Sequence, residues 1–108
     1  MKTKPIVVAN ESEVIEGRVL TVDVGAKSIA LCRVQGTVCA FANRCTHEDW
    51  SLHDAYLVDG RVVCSLHGAA FDAKSGECVR GPAADALATY AVEVRGGDVL
   101  LTLDESEE

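Results

Sequence analysis

Two short segments, Cys45-Thr46-His47 and Cys64-Ser65-Leu66-His67, each place a thiol and an imidazole one or two residues apart. Sixteen residues, Glu48 to Val63, separate the two pairs. Runs this short are loops, and two loops that face one another gather four metal-ligating side chains around a small volume. A chain built this way has to fold so that the loops meet. That requirement restricts it more than its composition does.

Two Cys and two His suit either one tetrahedral zinc or a two-iron cluster in which one iron takes both thiolates and the other both imidazoles. Spacing favours iron. Zinc fingers usually pair Cys with Cys and His with His, whereas each loop here mixes the two types. A site without metal would need a buried thiol beside a hydrogen-bonded histidine to arise twice by chance. Five cysteines, an odd number, also favour metal chemistry over a disulfide framework.

The rest of the chain reads as all-β. Short stretches rich in Val, Ile, Thr and Leu recur at Pro5–Ala9, Gly17–Val24, Ser28–Val34, Thr37–Phe41, Arg61–Cys64, Thr89–Val94 and Val99–Leu103. Turn residues such as Gln35-Gly36, Asp59-Gly60 and Gly96-Gly97-Asp98 separate several of them, which predicts antiparallel hairpins. One helical turn is expected to begin at Ser12 and to stop at Gly17. At 108 residues the chain is sized for a single domain. The segment 42–84 holds all three histidines and the only Trp, so it is expected to be an inserted cluster-binding subdomain on a β-sandwich base formed by 1–41 and 85–108.

The pattern C-T-H, sixteen residues, C-S-L-H-G, then Phe71-Asp72 and Ser75-Gly76, resembles the Rieske ferredoxin family. Residues 45–52 are most similar to ferredoxins that serve bacterial aromatic-ring-hydroxylating dioxygenases, and Gly81-Pro82 resembles the family's third loop, which covers the cluster. Ala55 and Glu48 stand where glycine is common in the family. The resemblance implies one [2Fe-2S] cluster on Cys45, His47, Cys64 and His67, a flavin-dependent NAD(P)H reductase as electron donor and a terminal oxygenase as acceptor. It implies no catalytic residues, and His47 and His67 become the expected exit for the electron. A small Rieske subunit of a larger redox enzyme, nitrite-reductase-like, is the alternative, and a zinc-stabilised binding module the third.

Mixed ligation makes the cluster less negative than its four-cysteine counterpart by about two charges, so an electron is easier to accept. High-potential relatives carry extra cysteines in both ligand loops and hydroxyl donors near the sulfurs. Trp50, Leu66, Ala69 and Phe71 occupy those positions here, which predicts a midpoint near the low end of the Rieske range, about -150 to -100 mV. Cys32 and Cys39 are expected to behave as small buried hydrophobes, Cys78 as partly exposed, His53 as a loop residue and not a third imidazole ligand. Trp50 suits either packing or partner contact. A net charge of -7 disfavours nucleic acid and anionic membranes, and with no long apolar run the expected location is the cytoplasm.

Overall fold

A computed structural model describes residues 3–44, 52, 55–64, 68–80 and 85–104. Among the described residues ten strands run in chain order: β1 (Thr3–Asn10), β2 (Val19–Val24), β3 (Lys27–Val34), β4 (Thr37–Ala42), β5 (Tyr56–Val58), β6 (Arg61–Val63), β7 (Ala70–Asp72), β8 (Cys78–Arg80), β9 (Thr89–Arg95) and β10 (Asp98–Asp104). They form a six-stranded sheet, in the order β1-β10-β9-β4-β3-β2, and a four-stranded sheet, β5-β6-β7-β8. All strand pairings are antiparallel, as the hairpin signals predict. No helix among the described residues is long and apolar enough to cross a membrane.

The six-stranded sheet curls until its edge strands β1 and β2 touch. Side chains alternate across a strand, so β3 sends Ile29 and Leu31 into the curl and Ala30, Cys32 and Val34 to the opposite face. Both faces are covered, which is why Ser28–Val34 reads as a nearly continuous apolar run. The curl is filled by Val14, Ile29, Leu31, Ala40, Val99 and Leu101. On the other face Phe41, Cys32 and Cys39 pack with Val62, Phe71 and Ala73 of the four-stranded region, and this second cluster joins the two sheets.

Turn chemistry follows the sequence. Gln35 and Gly36 have φ of 51° and 82°, and Asp59 and Gly60 have 51° and 78°, the left-handed pairs that two-residue hairpins favour. The Glu16 carboxylate accepts hydrogen bonds from the Gln35 and Gly36 amides at 2.9 and 3.2 Å, latching the β3–β4 hairpin to the β1–β2 connection. The helical turn begins one residue earlier than expected, at Glu11, because Asn10 caps it. Asn10 Oδ1 accepts from the Ser12 amide while Glu13 accepts from the Asn10 amide.

β5, β7 and β8 are strands that the sequence pattern does not predict. Each is three residues long, too short for alternation to register. Arg61–Cys64 is a strand only as far as Val63, and Cys64 begins the next turn.

Candidate metal centre

The first ligand segment leaves the end of β4. Asn43 is fixed there by two bonds to Ser28, amide to carbonyl and side-chain amide to hydroxyl, each 3.0 Å. Its Oδ1 accepts from the Leu52 amide at 2.7 Å, so residues nine apart are clamped together. The Leu52 side chain is fully buried in the second cluster, and the Leu52 carbonyl accepts from the Ala55 amide. Cys45 and His47 lie between the clamped residues and outside the described ones, as do Glu48, Trp50 and His53.

The second segment starts at Cys64. Its amide donates to the Ala69 carbonyl at 2.8 Å and its carbonyl accepts from the Gly68 amide at 3.0 Å, which ties Cys64 to Gly68 and Ala69. Gly68 takes φ of 78°, a conformation that costs a glycine little. From β8 the Arg80 guanidinium donates to the Gly68 carbonyl through Nε and Nη2, at 3.3 and 3.2 Å. His67, and Leu66 beside it, lie outside the described residues.

Cys64 is 2% exposed and belongs to the same apolar cluster as Leu52. The bases of the two segments therefore share one floor. A thiol here, screened from water, suits a soft thiolate ligand to iron. Ala69 and Phe71 are buried beside Cys64 and carry no hydroxyl.

A third segment supports the turn after β7. Asp72 Oδ1 accepts from the Lys74 and Ser75 amides, both at 2.9 Å, and these bonds, that from Ser75 first, hold its carboxyl below its ordinary pKa. Gly76 donates to the Asp72 carbonyl and accepts from the Leu87 amide at 2.7 Å. A Cβ at Gly76 would collide with the Leu87 carbonyl oxygen, so only glycine lets residues 85–88 pass this close. Gly81-Pro82 lies outside the described residues.

The remaining cysteines behave as packing groups. Cys32 and Cys39 face each other across β3 and β4, both buried, and the Cys32 thiol is pushed up by its hydrogen bond to Cys39 and then by burial, which keeps it protonated. Cys78 is half-buried, with Sγ 3.5 Å from the Arg80 carbonyl. Among the described residues these thiols gather no third donor. Two contributors escape the sequence reading, Asn43 as the clamp and Arg80 as the brace on Gly68, because both act through contacts made only once the chain is folded.

Comparison with known proteins agrees with this architecture. The profile described as the Rieske [2Fe-2S] domain matches residues 4–91. The 3-phenylpropionate/cinnamic acid dioxygenase ferredoxin subunit of Escherichia coli (strain K12) is 40% identical over 97 residues, which cover 89% of this chain and 91% of that protein. The Sphingomonas yanoikuyae B1 ferredoxin superposes with a TM-score of 0.88 at 25% identity, covering 94% of this chain and 100% of that one. A chain from the complex of reduced oxygenase and oxidized ferredoxin in carbazole 1,9a-dioxygenase superposes with a TM-score of 0.82 at 31% identity, covering 89% and 99%.

Proposed function

The chain belongs to the Rieske [2Fe-2S] domain family, and from that premise we propose that it is a one-electron carrier that receives from a flavin-dependent NAD(P)H reductase and delivers to a terminal aromatic-ring-hydroxylating oxygenase. The observation that carries this is the Cys64–Gly68 tie sharing a buried floor with the Asn43–Leu52 clamp. Its relatives named as dioxygenase ferredoxins, with the complex of oxygenase and ferredoxin, support the choice of acceptor.

In this assignment Cys45 and Cys64, through thiolates, and His47 and His67, through imidazoles, would hold the cluster. When bound, the [2Fe-2S] cluster stores and returns a single electron. The protein's part is to hold the donors. Asn43 and Leu52 fix the first loop, the Cys64 and Gly68 backbone fixes the second, and buried Leu52, Ala69 and Phe71 exclude water beneath them. We assign residues 42–84 to the cluster-binding subdomain and 1–41 with 85–108 to its base, and place the protein in the cytoplasm.

Ala69 and Phe71 offer no hydroxyl to sulfur, so the midpoint belongs near the low end of the Rieske range, about -150 to -100 mV. Protein-film voltammetry measures it directly. A clearly positive midpoint overturns the low-potential carrier, and a colourless product holding one zinc and no sulfide overturns the iron cluster.

A further inference from the structure

The outer face of the four-stranded sheet carries a groove of about 390 Å³. Register builds it. Tyr56, Val63, Ala70 and Arg80 are successive partners across the four strands, so their side chains form one row. Val63 and Ala70 make a low floor between the taller Tyr56 and Arg80. Val58 and Arg61, partners in the next row, extend it. A sheet face turned to water ordinarily carries polar side chains, yet Tyr56 is 60% and Val58 52% exposed here.

The groove also inverts the charge of its surroundings. The chain carries -7 overall, but two guanidiniums line this one site. Arg61 is exposed and makes no ion pair or hydrogen bond among the described residues, since Asp72 across the ladder engages the Lys74 and Ser75 amides instead. Arg80 spends Nε and Nη2 on the Gly68 carbonyl and keeps Nη1 for another acceptor. Asp59, the carboxylate on the rim, sits in the β5–β6 turn at the end away from Gly68. Gly68 itself follows His67 in the chain and bonds to Cys64, so the groove opens directly beside the proposed centre.

We propose that this groove docks the terminal oxygenase, taking an apolar side chain onto Val63 between Tyr56 and Val58 and a carboxylate against Arg61 and the free edge of Arg80. The assignment rests on the carrier function proposed above and adds a surface and a partner chemistry to it. Cationic charge on an otherwise acidic molecule orients an acidic partner as it approaches, and the exposed Tyr56 supplies the kind of aromatic anchor that holds one.

The test uses the cluster-loaded protein and the oxygenase component of the 3-phenylpropionate/cinnamic acid system, whose ferredoxin subunit is 40% identical to this chain. The second-order rate of electron transfer from dithionite-reduced ferredoxin is followed by stopped flow. Arg61→Glu is expected to slow it about tenfold at low ionic strength, with the gap closing in high salt, and Arg61→Lys to restore most of it. Tyr56→Ala is expected to slow it severalfold at every salt concentration. Both variants should keep the wild-type electron paramagnetic resonance spectrum, which separates docking from damage to the centre. Wild-type rates in both variants, or a loss confined to reduction by the flavin reductase, overturn the groove while leaving the carrier function standing. A reduced wild-type protein that passes no electron to the oxygenase overturns both.

Discussion

Strands of six to eight residues in the six-stranded sheet wrap an apolar interior, whereas the four-stranded sheet is made of three-residue strands with one face on the base and the other open to water. The first is held by burial. Strands as short as those of the second are marginal by themselves, and beside the packing of Val62 and Phe71 on the base specific local bonds hold them: the Asx-type turn of Asp72, the Asn43 clamp, the Cys64–Ala69 closure and the Arg80 brace. A redox centre needs fixed ligand positions, and the bonds at Asn43, Cys64 and Arg80 flank the proposed ligands, while the buried cluster of Leu52, Cys64, Ala69 and Phe71 lies beneath them.

Removing a proposed ligand should separate the two regions most sharply. Cys64→Ser is expected to abolish the visible absorption and resonance spectrum of the cluster entirely. Amide hydrogen exchange should then accelerate through β5–β8 while β3 and β9 keep their protection. Uniform loss of protection would show that the sheets form one cooperative unit.

Truncation of the cores comes next. Phe71→Ala empties a fully buried site joining the two sheets, and Leu31→Ala empties one inside the curl, at an expected cost of about 3–5 and 2–5 kcal/mol respectively. Urea melts followed at the cluster and in the far ultraviolet should part company for Phe71→Ala and coincide for Leu31→Ala. Coincidence in both would remove the distinction drawn here.

Smaller effects probe the local bonds. Asn43→Ala strips the Leu52 amide of its acceptor, a loss of about 1–3 kcal/mol, and should quicken cluster bleaching in the presence of a chelator. Asp72→Asn is the mildest. Its native pKa is depressed, so the carboxylate contributes stability above its unfolded pKa and loses it as pH falls through the native value. Wild type should therefore outlast the variant in urea at neutral pH, and the two should converge below the carboxylate range.

Sequence legibility divides along the same line. β3 could be read because burial on both faces writes a long apolar run into Ser28–Val34, and the hairpin turn at Gln35-Gly36 because positive φ restricts the residues allowed there. β5, β7 and β8 could not, since three residues carry no period and their pairing follows from Val62 and Phe71 packing on the base. At the site, the proposed ligands are visible as spacing, and Cys64 is the one of the four that falls among the described residues. The clamp and the brace were not visible. Asn43 reaches an amide nine residues on and Arg80 a carbonyl twelve residues back, and neither leaves a local signature.

The order of strands in the larger sheet also sets the order in which it can be assembled. β2, β3 and β4 close on one another through two-residue turns, but among the described residues the strand that pairs with β1 is β10, and that pairing joins Thr3 to Asp104. Residues about a hundred positions apart must meet before β1 has a hydrogen-bonded partner. The β1–β10 ladder therefore closes a longer stretch of chain than any other strand pairing among the described residues, and carries the largest loop-closure entropy of them.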